Sequence, residues 1–216
     1  MRSLLVASVL LGCHHGGAPV APPPLRIDHV ILGVADLATG IPALEALTGA
    51  TLVQGGVHPD GTANALLSLG PTTYLELLAL GEGKVAPLAP VAYALAADDV
   101  ARVQAMIAHT HLELGAPVAG GRVLPDGTTL HWSTLELVAP ELGDLAPFFI
   151  HWDDPAQHPA RTSPGGCALV AVDVTSPAAT RLAALALPPE LHLHVGPDAL
   201  AITLRCGART LHFPPA

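Results

Sequence analysis

Apolar and polar positions along this chain change period in an order that repeats. Ile27 to Val34 is a run rich in β-branched residues and reads as a strand; beyond the turn Asp36 to Gly40, positions Ile41, Leu44 and Leu47 fall on one helical face. Thr51 to Val57, Thr62 to Leu69 and Thr73 to Leu80 read as three more strands, which makes the first unit βαβββ. The order returns with the strand Val91 to Ala97 and a helix that Asp98 or Asp99 caps, with Val100, Val103 and Ile107 on its apolar stripe. A hairpin from Pro117 to Leu137 and the strand Phe148 to Trp152 complete the second unit. A partial third unit follows: strand Ala168 to Val174, a helix opened by Ser176-Pro177 and continued through Arg181 to Leu187, and short strands at Leu191 to Val195, Ala199 to Arg205 and Thr210 to Phe213.

One phrase occurs twice and supports the duplication. Gly55-Gly56-Val57-His58-Pro59-Asp60-Gly61-Thr62 returns as Gly120-Gly121-Arg122-Val123-Leu124-Pro125-Asp126-Gly127-Thr128, with one residue inserted. Asp-Gly between strand-forming runs is a strong hairpin signal, because Asp tolerates and Gly freely adopts positive φ. The expected fold is therefore α+β: paired βαβββ modules over residues 26–152 forming a curled mixed sheet around a pocket, with the partial third module at 153–216. Pro155, Pro159, Pro164 and Gly165-Gly166 mark 153–166 as the boundary. The copies differ where it matters for chemistry: His58 becomes Leu124 and Asn64 becomes Leu130, so the polar hairpin belongs to the first unit.

Composition narrows the function classes. Half of the 216 residues are apolar, enough to bury a core, while a net charge of −9 with a single lysine, Lys84, argues against a nucleic-acid partner. No phosphate-binding loop, serine-hydrolase elbow or Cys-x-x-Cys pair is present. At the N-terminus Met1-Arg2, the apolar run Ser3 to Leu11 and Leu10-Leu11-Gly12-Cys13 are similar to a bacterial lipoprotein signal. Nine apolar residues are too few to span a bilayer, which takes about 20. The resemblance implies a signal at 1–12, lipidation of Cys13, a Pro- and Gly-rich tether at 13–25, and membrane contact through the lipid anchor only. With His14 following, it further implies the periplasmic face of an outer membrane. Of the remaining cysteines, Cys167 and Cys206 either pair in such an oxidising compartment or sit as buried thiols in strands.

The paired units, the opening Ile27-Asp28-His29-Val30, the Gly55-Gly56-x-His58 hairpin with Gly61-Thr62-x-Asn64, the strand Tyr74-Leu75-Glu76-Leu77 and Pro147-Phe148-Phe149-Ile150-x-Trp152 together resemble the glyoxalase-like branch of the vicinal oxygen chelate superfamily. The resemblance implies a small-molecule pocket, often with a divalent metal held by the first and last strands of each unit, and isomerase, lyase, dioxygenase or epimerase chemistry on a substrate with adjacent oxygens. A binding protein that only sequesters its ligand is the alternative it also allows.

Strand alternation places Ile27, His29 and Ile31 on one face, Tyr74 and Glu76 on another, and Phe149 with His151 on a third. A carboxylate such as Glu76 in an apolar strand calls for a cation, a proton or hydrogen-bond donors. His29, Glu76 and His151 are the expected ligands, a two-histidine, one-carboxylate set suited to Zn, Ni, Mn or Fe(II). Glu136 is a rival ligand. His58 is the candidate acid or base, and Asn64, Tyr74, His131, Trp132 and Phe149 are expected to line the substrate pocket. His192 and His194 share a strand face and read as solvated.

Overall fold

The computed structural model describes residues 24–124 and 126–214; Cys13, the signal and most of the tether lie outside them. The first unit comprises β1 (Ile27–Val34), α1 (Leu37–Thr48), β2 (Val53–Val57), β3 (Ala63–Ser68) and β4 (Tyr74–Ala79). The second comprises β5 (Ala89–Ala96), α2 (Val100–Ala108), a two-residue β6 (Glu113–Leu114), β7 (Val118–Val123), β8 (Thr129–Val138) and β9 (Phe148–Trp152). A short α3 (Pro159–Thr162) then leads into β10 (Cys167–Thr175), β11 (Leu191–His194), β12 (Ala199–Cys206) and β13 (Arg209–Phe213). Asp36 opens α1 by accepting from Thr39 N at 2.8 Å, and Asp99 opens α2 by accepting from Arg102 N at 3.0 Å. Helix α1 thus begins within the stretch expected to be a turn.

The sheet of the paired units runs β6-β8-β7-β2-β3-β4-β1-β5-β9, and β8 also pairs with β9. The curled sheet therefore closes into a barrel, with β6 outside it on the far end of β8. Between the units the closure rests on one bridge, Val57 to Val123. Both copies of the repeated hairpin turn in the same way. His58 N donates to Thr62 O and Leu124 N to Thr128 O, each at 2.8 Å, while Asp60 and Asp126 carboxylates accept from the amides of Thr62 and Thr128. The paired glycines make room inside: a Cβ on Gly55 would strike Asn64 Oδ1, and one on Gly120 would strike Trp132 Nε1.

Side chains alternate between two apolar clusters, which explains why the strands read as continuous apolar runs. Outward-facing Val30, Leu32, Leu75, Leu77, Tyr93, Leu95, Leu135 and Phe149 form the main core with Leu44 of α1, Val103 of α2 and Val172, Ile202, Leu204 and Phe213 of the second sheet. Burying each such side chain stabilises the fold by about 2 kcal/mol. Inward-facing Leu66, Tyr74, Ala94, Leu130, Ile150 and Trp152, joined by Ala160 of α3, form the smaller cluster inside the barrel.

The third unit forms its own sheet, ordered β11-β10-β12-β13. In place of the expected helix it has a 3-10 segment at Ala179–Ala184 that is extended again by Leu185. Pro188-Pro189 follow closely, and a proline disfavours helical backbone in the residue before it. Cys167 and Cys206 face each other across β10 and β12 and form a disulfide, with Cα atoms 4.1 Å apart. The boundary segment docks on the barrel: Ser68 N donates to Pro164 O at 2.7 Å and Ser68 Oγ to Ala160 O at 2.8 Å.

Candidate functional site

A cavity of about 400 Å³ opens inside the barrel, with His29, Tyr74, Glu76, His58, Arg122, Trp132, Phe148 and Trp152 among its walls. Its floor begins at a bulge in β1. Ile27 pairs with Leu95 and His29 with Ala94, so the register slips at Asp28. Ile27 consequently joins the outer core instead of sharing a face with His29, and Asp28 is buried beneath the pocket at 1% exposure. Asp28 accepts from His29 Nδ1 at 2.9 Å, from His158 Nε2 at 2.9 Å and from Trp152 Nε1 at 3.4 Å. Burial pushes its carboxyl upward, but the hydrogen bonds and charges of His158 and His29 outweigh burial and bring it down to about 2. Asp28 is thus a carboxylate, and it fixes His29 with Nδ1 protonated and Nε2 facing the pocket.

His58 is fixed in the same sense by a different chain of bonds. Thr62 Oγ1 donates to Asp60 Oδ1 at 2.7 Å, so the Thr62 hydroxyl accepts from His58 Nδ1 at 2.9 Å. The Nε2 lone pair of His58 therefore faces inward, 3.4 Å from Asn64 Nδ2. Burial lowers the His58 pKa below its ordinary 6.5, Glu76 partly restores it and Arg122 lowers it further, leaving a net decrease. Glu76 lies between the two rings, with Oε2 at 3.7 Å from His29 Nε2 and Oε1 at 3.8 Å from His58 Nε2. Asn64 Nδ2 donates to Glu76 Oε1 at 2.7 Å and holds the carboxylate there. Tyr74 stacks on His29 with centroids 4.6 Å apart, and burial first, then the Glu76 and Asp28 charges, push its phenol well above 10.

The structure brings His29, His58, Asn64, Tyr74, Glu76 and Trp132 together, and separates them from four others. On β9 the inward residues are Phe148, Ile150 and Trp152, so Phe149 is packed in the outer core with no exposure, and His151 turns away to pair Nδ1 with Ala97 O at 2.9 Å. His131 is exposed on the outer face of β8, and Glu136 is exposed too. On β9 a one-residue slip in matching the units causes this, since it exchanges the faces of a strand; on β8 alternation alone puts His131 opposite Trp132.

The register gives the true correspondence. His29 pairs with Ala94 across the antiparallel β1–β5 junction, and parallel neighbours align His29 with Tyr74 and Ala94 with Phe148. Ala94 thus mirrors His29, and Ile150 mirrors Glu76. The second unit places apolar side chains where the first places an imidazole and a carboxylate, and the His29, Glu76, His151 metal set is not assembled. Among the described residues no group of three His, Cys, Asp or Glu side chains is arranged to hold a metal ion. The residues present do not fit the expected divalent metal.

Besides the pocket walls Phe148 and Trp152, the sequence reading missed Asp28, Arg122 and His158. Asp28 was visible only as a charge inside an apolar run, and Arg122 only as the odd residue in the second Gly-Gly hairpin. Nothing local marks His158, which reaches Asp28 from 130 positions away.

The sequence profile of the glyoxalase-like domain family matches residues 27–188, and the chain belongs to that family. No curated protein matches it significantly in sequence. Among solved structures it is similar to a hypothetical protein from Staphylococcus aureus, with TM-score 0.58 and 19% identity over 88% of this chain and 85% of that one. A methylmalonyl-CoA epimerase from Mycobacterium tuberculosis gives TM-score 0.45 and 20% identity over 61% of this chain and 91% of that one. The first likeness shows a shared fold.

Proposed function

We propose that the chain is a small-molecule enzyme of isomerase or lyase type that moves a proton at a carbon beside a carbonyl, using His58 as the base. The observation that carries this reading is the convergence of two imidazole Nε2 atoms on the two oxygens of Glu76, with each imidazole locked by its own partner behind it. Of the three side chains His58 is the most open, at 17% exposure against 3% for His29 and 8% for Glu76. Uncharged at neutral pH, His58 accepts the proton at Nε2. Asp60, through Thr62, then stabilises the imidazolium from behind Nδ1, and the Glu76 carboxylate does so from the Nε2 side. His29, backed by Asp28, is the second proton station across Glu76. Trp132, Trp152 and Phe148 wall the site with apolar surface, which strengthens these interactions.

The substrate class is a small molecule with adjacent oxygens, an α-hydroxy ketone or 2-oxo acid. Solvent-deuterium exchange at carbon, followed by NMR for a panel of such compounds, tests the reading. Exchange above background with at least one of them, and a loss of about a hundredfold or more in Glu76→Gln, supports it. A panel that binds without exchanging makes the pocket a ligand-sequestering site instead. We further propose that the protein reaches an envelope membrane through lipidated Cys13. Cys13→Ala should abolish palmitate labelling and release the protein from membranes; unchanged membrane retention overturns the anchor.

A further inference from the structure

Arg122 points inward from β7 and is 4% exposed, yet its Nε and Nη2 have no hydrogen-bond partner, and its guanidinium forms no ion pair among the described residues. An arginine is charged at any ordinary pH, and a buried unpaired charge is strongly unfavourable. Such a group persists where a ligand completes it. The two orphan nitrogens lie on one edge of the guanidinium, the fork that meets both oxygens of a carboxylate.

The surroundings agree in chemistry. Arg122 borders the cavity of His58 and Glu76 and also a neighbouring cavity of about 570 Å³ walled by Gln54, Leu66, Leu124, Leu130 and Ser163. Ser163 Oγ, in that second cavity, is likewise buried without a partner. Asp126, on the wall of that second cavity, accepts from the Thr128 amide at 2.9 Å and forms no ion pair with the guanidinium.

We infer that Arg122, assisted by Ser163 Oγ, anchors a carboxylate of the pocket's ligand, so that the substrates are carboxylic acids held between the two cavities. The inference rests on the proposed use of this pocket and narrows its substrate class to 2-oxo and related acids.

Thermal shift and calorimetry with acetate, benzoate and pyruvate, each against its neutral amide, test it on the wild type, Arg122→Met and Arg122→Lys. At least one acid should raise the melting temperature of the wild type while its amide does not. Arg122→Met should bind that acid at least about tenfold more weakly and melt at or above the wild type without ligand, because the buried charge is gone. Arg122→Lys, which keeps the charge and loses the fork, should bind with intermediate affinity and guards against a Met variant that fails to fold. Equal shifts by acid and amide, no shift with any acid, or undiminished binding in both variants overturns the inference. Intact binding without proton exchange in the wild type would refute the catalytic reading alone, and exchange without Arg122-dependent binding would refute this inference alone.

Discussion

Replacing Asp28 with Asn should cost stability in a way that fades with acid. The Asp28 carboxyl is buried and titrates at about 2, against 3.8 when unperturbed. That difference contributes roughly 2 kcal/mol to folding at neutral pH. Because the folded value is depressed, the contribution is complete above about pH 5 and disappears as pH falls through 2; at pH 3 roughly half of it remains. The Asn variant has no such contribution and also presents an amide to two imidazole N–H donors, so its deficit near pH 6 should be about 2 to 4 kcal/mol. Urea denaturation of both proteins from pH 6 to pH 3, with the m-value checked for constancy, measures the gap. It should narrow by about 1 kcal/mol on acidification, since other carboxyls titrate alike in both chains. A gap that stays constant or widens would show that Asp28 is not held as a carboxylate by His29 and His158.

Three further outcomes follow from the fold and the site. Replacing both Cys167 and Cys206 with Ser opens a loop of sequence separation 39, worth about 4 kcal/mol by chain entropy, and should lower the melting temperature by roughly 10 °C; an unchanged melting temperature would contradict the bridge. Phe149→Ala should cost about 3 to 5 kcal/mol with ligand binding at the pocket retained, whereas His131→Ala should be neutral in both respects; a pocket defect specific to either would contradict the facing of β8 and β9. Elemental analysis should find less than one equivalent of divalent metal after dialysis, and chelator should leave exchange unchanged; one bound equivalent that His29→Ala loses would reinstate a metal at this site.

Much of the architecture was legible because turns and periods are local. Asp-Gly turns, glycine pairs and two helical stripes marked the paired units, and the resemblance placed Glu76, His29, His58 and Asn64 in one pocket. What failed was register. A bulge at Asp28 and a one-residue difference in β9 are invisible to alternation, and each reassigns a face: Ile27, Phe149 and His151 leave the pocket while Phe148 and Trp152 enter it. Closure of the barrel depends on Val57 meeting Val123, a pairing 66 positions apart that no local signal encodes. Likewise the proline-rich segment 153–166 read only as a boundary between units. Its docking, which delivers His158 to Asp28, depends on tertiary contacts alone.

The role of His58 is most directly tested by the pH profile of solvent-deuterium exchange for whichever panel member reacts. The rate should rise with pH along a limb whose midpoint lies below 6.5, because burial lowers the His58 pKa, and His58→Gln should remove the limb together with most of the rate. A midpoint above 6.5, or a limb that survives in His58→Gln, would contradict His58 as the base.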